Sequence, residues 1–121
     1  MNAIATEYLT TVIRRVRYYK ELGDRTFEQL QDDGFHYRPN NESNSIAVII
    51  QHMSGNMLSR WTNCLSEDGE KDWRDRDEEF AVHDYTKDRL IELWEKGWNC
   101  FLNALNSFGA DDLLRTIYIR Q

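Results

Sequence analysis

The sequence predicts an all-α protein, an antiparallel bundle of three long amphipathic helices. Three segments of about 20 residues repeat apolar side chains at steps of three and four, which places those side chains on one face of a helix. The 121 residues include only one proline and six glycines, so few residues would interrupt such helices. Four tryptophans, six tyrosines and five phenylalanines supply core material for a single domain over residues 1–121.

The first helix is expected over residues 3–22. Gly23 can adopt the left-handed conformation that ends a helix. A short helix is then expected from Thr26, which forms a capping-box pattern with Gln29, and a loop is expected around Pro39. The apolar side chains of the first helix that share one face are Ile4, Tyr8, Val12, Val16 and Tyr19.

The second helix is expected over residues 45–66, with Asn44 or Ser45 as its N-cap. From Ser43 to Ser59 the sequence contains no Asp, Glu, Lys or Arg, and His52 lies in the middle of this uncharged run. The main apolar stripe of this helix comprises Ile46, Ile50, Met53, Met57, Trp61 and Cys64.

His52 lies away from that main stripe. At about 100° per residue, it projects roughly 130° from the centre of the stripe. A helix with two uncharged faces is expected to be covered on both, so the face that carries His52 should meet either a cavity or a partner surface. The neighbours of His52 on this second face are small or polar: Ser45, Val48, Gly55, Asn56, Ser59 and Asn63.

The third helix is expected over residues 86–108. The connection before it, residues 67–84, is rich in charged side chains, which is typical of a solvated loop. Trp73 and Phe80 are expected to hold this loop to the body of the protein. The closing residues LLRTIYIRQ are rich in β-branched and aromatic side chains, which favours an extended segment.

The composition argues against several classes of function. The formal charge of −6 and the pI of about 5.0 disfavour a nucleic acid or an anionic membrane as partner. No run approaches the ~20 apolar residues of a transmembrane helix, and the N-terminal residues lack the apolar stretch of a signal peptide. Cys64 and Cys100 form no CxxC motif, so both are expected to be reduced and the protein to be cytoplasmic.

His52 could be a metal ligand, a general base or a hydrogen-bonded structural residue, and spacing alone favours the structural role. A zinc, nickel or iron site needs three or four protein ligands, whereas the sequence contains no HxxxH or HExxH motif. His36 and His83 fall in predicted loops. No GxSxG motif surrounds a serine, and the carboxylates of the connection are interpreted as solvated rather than catalytic.

Residues 42–80, ESNSIAVIIQHMSGNMLSRWTNCLSEDGEKDWRDRDEEF, resemble the second-helix region of the DinB-like proteins. The resemblance is strongest to a small bacterial branch of this group that is largely of unknown function. It implies an up-down-down-up four-helix bundle, often dimeric. It also implies a divalent metal (nickel, zinc or iron) bound by one histidine of the second helix and an HxxxH pair of the fourth. His52 matches the second-helix ligand.

The chain departs from this pattern after TIYIR. The resemblance implies that a turn and a fourth helix carrying HxxxH follow there, but the sequence reaches Gln121 without them. We therefore expect a C-terminally incomplete bundle of three long helices, one short helix and an extended C-terminal segment. We likewise expect an incomplete metal site.

Two functions are consistent with the sequence. The resemblance implies a metal-dependent transferase or hydrolase acting on a small thiol-linked molecule, with His52 as a metal ligand and Asn56 as a residue that could orient water. The alternative is a non-catalytic homodimeric helical module. A dimer is expected in both cases because the chain has more aromatic side chains than one bundle face can bury, among them Tyr18, Tyr19, Trp94 and Trp98.

Overall fold

The structure is a computed structural model that describes residues 2–120. Within this range the chain forms helices and one short 3₁₀ turn, and no residue belongs to a strand, which confirms the all-α prediction. The elements in chain order are α1 (Ala3–Glu28), α2 (Asp32–His36), α3 (Ile46–Trp61), α4 (Arg76–Glu79), α5 (Lys87–Ser107) and the 3₁₀ turn (Ala110–Asp112).

The core lies mainly between α3 and α5, which form the most extensive helix pair. Ile50 of α3 and Leu90 of α5 are fully buried. The two backbones approach closely where Gly97 crosses Ser54, because a Cβ at position 97 would lie 2.9 Å from the Ser54 Cα. At the same crossing the Ser54 hydroxyl donates a hydrogen bond of 2.8 Å to the carbonyl of Leu93. This small-residue contact fixes both the spacing and the register of the pair.

The bounds of α3 and α5 follow local capping signals. Ser45 is the N-cap of α3, since its Oγ accepts a hydrogen bond from the amide of Val48 at 3.1 Å. Thr86 caps α5 in the same way. The predicted start of each helix is therefore confirmed, whereas α3 ends at Trp61, five residues before the predicted Ser66. Its end is marked by Asn63, which adopts a positive φ of 49°.

The predicted end of the first helix at Gly23 is wrong, because α1 continues without a break to Glu28. Gly23 serves packing instead: a Cβ at this position would lie 2.5 Å from the ring of Trp94. The indole Nε1 of Trp94 donates a hydrogen bond of 2.8 Å to Asp24 beside it. The predicted capping box is also wrong, since the Thr26 hydroxyl donates to the Leu22 carbonyl within α1.

The predicted apolar face of α1 is correct only in part, since Val16 packs against the core but three other members of the stripe are exposed. Tyr8 and Tyr19 are 59% and 57% exposed, and Ile4 is 83% exposed. The residues that α1 buries, Ala5 and Leu9 among them, lie one position further along the chain. One position is about 100° of rotation, so the face that packs on α5 differs from the one predicted.

The connection between α3 and α5 is not a wholly solvated loop, contrary to prediction. Lys71 is 6% exposed and Glu79 9% exposed. Trp73, predicted to hold the loop to the body, is 60% exposed, so it does not anchor the segment. Phe80 is 36% exposed, yet its ring packs on His52 of α3, as predicted for this residue. Ion pairs and hydrogen bonds attach the rest of the connection to α3, in place of the contact expected of Trp73.

The residues after the 3₁₀ turn form neither helix nor strand up to residue 120, and they lie against the connection. The Gly69 amide donates a hydrogen bond of 2.7 Å to the Tyr118 carbonyl. The Arg120 amide donates to both carboxylate oxygens of Asp68, at 3.0 and 3.2 Å. Since the Arg120 and Glu70 amides both donate to the ionised Asp68, the pKa of Asp68 is lowered. None of the described helices is both long enough and apolar enough to cross a membrane.

Acid should release the contact between Asp68 and the segment that ends at Arg120. The folded pKa of Asp68 lies below the ordinary value of about 3.9, so the stabilisation is complete above that value and is lost as pH falls through the folded pKa. We expect the Arg120 and Glu70 amide resonances to titrate together in ¹⁵N–¹H spectra, with a midpoint below about 3.9. Asp68→Asn is the control that should remove this transition. A midpoint at or above the ordinary value would contradict the assignment.

Candidate functional site around His52

His52 lies in the middle of α3, and its ring is covered by the connection that follows this helix. The Nδ1 atom of His52 is 3.0 Å from Oε1 of Glu79. The Phe80 ring packs on the imidazole with 4.7 Å between ring centroids. The prediction that this face is covered is thus confirmed, but the expected cavity or partner surface is wrong at His52: the cover among the described residues is the chain's own connection. The His52 side chain keeps 32% of its surface exposed.

Glu79 reaches His52 because α3 has no side chain at position 55. A Cβ on Gly55 would lie 2.0 Å from Oε2 of Glu79 and 2.4 Å from its carboxyl carbon. Glu79 is the last residue of α4, a single turn whose N-cap Asp75 accepts a hydrogen bond from the Glu78 amide at 3.1 Å. The short helix therefore presents the carboxylate directly to the surface of α3, one turn beyond His52.

Arg74 holds the Glu79 carboxylate in place with two hydrogen bonds. Its Nε donates to Oε2 at 3.0 Å and its Nη2 donates to Oε1 at 3.1 Å. The Arg74 side chain is only 2% exposed. The hydrogen bonds to Glu79 raise the pKa of Arg74 above its usual value.

The ion pairs continue from Arg74 to the surface of α3. Arg74 Nη1 lies 3.3 Å from Oε2 of Glu70, and Arg60 of α3 donates to the same oxygen at 2.8 Å. The hydrogen bond from Arg60 lowers the pKa of Glu70. The series His52, Glu79, Arg74, Glu70 and Arg60 thus begins and ends on α3, and we call it the charged network.

Ser59 and Lys71 fasten the beginning of the connection. Ser59 is fully buried; its hydroxyl donates to the Gly69 carbonyl at 2.7 Å and accepts from the Lys71 amide at 3.0 Å. The Lys71 ammonium donates to the carbonyls of Ser59 and Asp68 at 2.7 and 2.6 Å. A second polar anchor therefore lies two turns beyond His52, on the face of α3 that the sequence predicted to be covered.

The hydrogen bond to Glu79 determines which nitrogen of His52 carries the proton. An ionised carboxylate can only accept, so Nδ1 donates and Nε2 presents a lone pair in the neutral ring. Within residues 2–120, Nε2 has no hydrogen-bond partner. Metal-binding histidines commonly have this arrangement, in which a carboxylate fixes the tautomer and the orientation of the ring. A general base has the same requirement.

The other predicted candidates do not join His52. Between residues 2 and 120, no three His, Cys, Asp or Glu side chains come together in a way that could hold a metal ion. His36 Nε2 is 2.7 Å from the Tyr85 carbonyl, and His83 Nε2 is 2.8 Å from Glu78. Asn56 lies one turn from His52 and is half-buried. Both histidines thus form contacts within the described chain, and the predicted loop is wrong for His36, which is the last residue of α2.

The two cysteines line a groove elsewhere, between the C-terminal ends of α3 and α5. This groove has a volume of about 510 Å³, and His52 is not part of its wall. Cys64 is buried, and burial raises the pKa of its thiol. Cys100 is half-buried, with its sulfur 3.4 Å from the Thr62 hydroxyl. Both thiols are free, and the higher pKa of Cys64 favours its uncharged form.

Three residues of the site were not among the sequence candidates: Gly55 was assigned only to the second face, and Arg74 and Glu79 were assigned to a solvated loop. The sequence signal for this contact is Gly55, which follows His52 by three residues in a run without charged side chains. An arginine and a glutamate five residues apart then supply the buried pair.

An all-helical chain that carries a histidine in the middle of its second long helix has the features of a DinB-like protein. A family model described as "Protein of unknown function (DUF1572)" matches residues 3–121. The chain therefore belongs to this family, which is a DinB-like family of helical proteins. Searches of curated proteins and of solved structures gave no significant match.

Gly55→Ala should displace Glu79 and free the ring of His52. The new Cβ would occupy the position of the carboxylate, and separating a buried pair costs about 3–5 kcal/mol. Alanine regains about 1 kcal/mol in helix propensity, so we expect urea unfolding to show a net loss of about 2–4 kcal/mol. Imidazole ¹⁵N spectra should change from one tautomer to a mixture.

The matched control is Gly109→Ala, where the nearest atom to a new Cβ is 3.9 Å away and φ is −103°. This substitution should change stability by less than about 0.5 kcal/mol. If Gly55→Ala behaves like Gly109→Ala, then Glu79 does not lie against α3 in solution.

Proposed function

We propose that this protein is a metal-dependent transferase or hydrolase that acts on a small, thiol-linked molecule and uses His52 as a metal ligand. The resemblance of residues 42–80 to DinB-like proteins suggested this function. The observation that carries it is the hydrogen bond of 3.0 Å from His52 Nδ1 to the buried carboxylate of Glu79. This bond leaves Nε2 of His52 without a hydrogen-bond partner among residues 2–120 and therefore available to a ligand.

The residues described here fit one part of such a metal site. His52 supplies one candidate ligand atom, Nε2, and Glu79 supplies the outer carboxylate. Glu79 cannot itself be a free ligand, because Arg74 occupies both of its oxygens at 3.0 and 3.1 Å. Since residues 2–120 contain no cluster of three ligands, the proposal requires further ligands, such as the HxxxH pair that the resemblance implies. A bound divalent metal would act as a Lewis acid toward a thiol or water.

The contribution of this chain is positioning. Glu79 keeps the proton on Nδ1, and the two hydrogen bonds from Arg74 hold the carboxylate in place. Phe80 covers one face of the ring, so the imidazole has little freedom to rotate. An imidazole held in this way loses less conformational entropy when it binds a ligand.

The test is nickel or zinc content after gel filtration of residues 1–121, compared with a form in which a helix carrying HxxxH follows this sequence. We expect stoichiometric metal only in the second form, and its loss in His52→Ala. Equal metal content in both forms would contradict the proposal.

Glu79→Gln should weaken metal binding by the extended form by about 10–100-fold, as is usual for residues that orient a ligand. Glu78→Gln is the matched control, since Glu78 is the neighbouring residue and its side chain is 61% exposed. If Glu79→Gln leaves the metal affinity unchanged, then Glu79 does not orient His52 for metal binding.

The alternative proposal is a non-catalytic homodimeric helical module. The exposed face of α1 favours it, because Ile4, Tyr8, Tyr18 and Tyr19 are 83%, 59%, 50% and 57% exposed. Several exposed apolar side chains on one face of a helix are typical of interaction sites. Trp94 and Trp98 no longer support a dimer, since both are buried within the chain, at 4% and 6% exposed.

Sedimentation equilibrium should show a dimer that is weakened by Tyr8→Lys on the exposed face. Arg76→Lys, on the connection, is the control and should leave the association unchanged. A monomer at all accessible concentrations would contradict this alternative and would leave the metal proposal unaffected.

A further inference from the structure

The outer side of α1 carries a regular row of exposed side chains. They follow the helix at alternating steps of four and three residues, which is the spacing of a coiled-coil seam. The row extends for about 27 Å at a rise of about 1.5 Å per residue. The buried side chains of α1, such as Ala5 and Leu9, lie on another side of the helix, and α1 packs mainly on α5. We call this row the outer stripe; it consists of Ile4, Tyr8, Thr11, Arg15, Tyr18 and Leu22.

A shallow depression of about 290 Å³ lies in the middle of the outer stripe. Its wall consists of Thr11, Arg14, Arg15 and Tyr18, all from α1. In knobs-into-holes packing, four residues of one helix at positions i, i+3, i+4 and i+7 form the hole that receives a side chain of the facing helix. The surface of α1 therefore has both the spacing and the hole that a second helix would fill.

The order of side chains in the outer stripe indicates that the second helix is another copy of α1 in the opposite direction. The stripe has similar residues at equal distances from its midpoint: an aliphatic residue at each end, then a tyrosine on each side, then a polar residue on each side. An antiparallel pair centred on that midpoint therefore joins matching side chains in every layer. The layers are Ile4 with Leu22, Tyr8 with Tyr18, and Thr11 with Arg15.

The charges in the middle of the stripe favour the antiparallel pair over a parallel one. A parallel pair would place Arg15 against Arg15 in one layer, where like charges repel. In the antiparallel pair Arg15 faces Thr11, whose hydroxyl can accept a hydrogen bond from a guanidinium group. Arg14 and Arg15 form no ion pair among residues 2–120, so both have donors to offer. The arginines of the two copies still approach each other near the two-fold axis, which limits the affinity.

The charges beside the stripe are complementary in the same arrangement. Glu7 and Arg25 lie on one flank of the stripe, about five turns apart along α1. Helical side chains lean toward the N-terminus of their own helix. In an antiparallel pair, Glu7 of one copy and Arg25 of the other therefore lean toward each other, and the two-fold axis repeats this contact at the opposite end.

We propose that α1 pairs with α1 of a second copy as an antiparallel coiled coil centred between Thr11 and Arg15. The inference rests on the homodimer proposed above as the alternative function, and it specifies the surface, direction and register of that dimer. A stripe about 27 Å long on a helix about 10–12 Å wide is smaller than the ~800 Å² per partner of a standard interface. We therefore expect a reversible dimer.

Disulfide trapping tests the register, because opposed residues of the seam come within the ~4.4–6.8 Å between Cα atoms that a disulfide requires. Tyr8→Cys and Tyr18→Cys are each incubated with glutathione disulfide, alone and as an equal mixture, and analysed by non-reducing electrophoresis and peptide mass spectrometry. We expect the covalent dimer linked between positions 8 and 18 only in the mixture. The wild-type protein, with Cys64 and Cys100, gives the background.

Substitution of Thr11 tests the centre of the seam by sedimentation equilibrium. Thr11→Glu should tighten the dimer about tenfold, since two symmetric carboxylates then meet guanidinium groups, and Thr11→Lys should abolish it. Thr10→Glu and Thr10→Lys are the matched controls, because Thr10 is also exposed but projects about 100° away. Cross-linking of Tyr8→Cys alone, or a dimer that neither Thr11 variant changes, would overturn this register and leave the homodimer standing. A monomer at all accessible concentrations would overturn both.

Discussion

The buried ion pair between Arg74 and Glu79 is the interaction on which the organisation of the site depends. Taking two charges out of water costs several kcal/mol for each. Here the cost is offset because the carboxylate receives two hydrogen bonds from Arg74 and one from His52, at 3.0 to 3.1 Å. The Nη1 atom of Arg74 donates a further hydrogen bond to Glu70. The pair orders a segment that has no buried aromatic anchor of its own, and it does so only because position 55 is glycine.

The same segment orients two consecutive residues of α3. The side chain of Glu79 fixes the tautomer of His52, and the backbone carbonyls of Glu79 and Ala81 fix the amide of Gln51. The proposed metal ligand and the buried amide beside it therefore share one support. A displacement of residues 79–81 would change the orientation of both side chains.

The sequence predicted those features that depend on short-range interactions. The starts of α3 and α5 follow from Ser45 and Thr86, whose side chains cap the next turn. Gly23 was interpreted as a helix end because local rules cannot show that Trp94, distant in sequence, packs against it. The apolar stripe predicted for α1 included Tyr8, whereas the buried residue is its neighbour Leu9. A pattern of apolar residues counts both equally and cannot show which of the two is buried.

The candidate site was predicted only in part, and for a similar reason. The angular position of His52 indicated a covered second face, which the structure confirms. The sequence did not show that residues 67–84 cover this face. Their charged composition predicted a solvated loop, because composition does not reveal which charges are paired. Nine acidic and three basic side chains occur in this connection, and most of the acidic ones are exposed. Only the contact of Glu79 with Gly55 distinguishes the buried pair, and that contact joins residues 24 positions apart.

The adjacent residues Ser54 and Gly55 give α3 contacts on two different sides. Ser54 meets α5 at Gly97, and Gly55 meets Glu79 of the connection. An inserted or deleted residue within Ile46–Trp61 would turn one half of the helix by about 100° relative to the other, and it would separate one of these contacts from the rest. Evolutionary changes in chain length are therefore expected at the two ends of α3, in residues 37–44 and 62–66, and not within the helix. This helix should keep a constant length among relatives, while the loops around it vary.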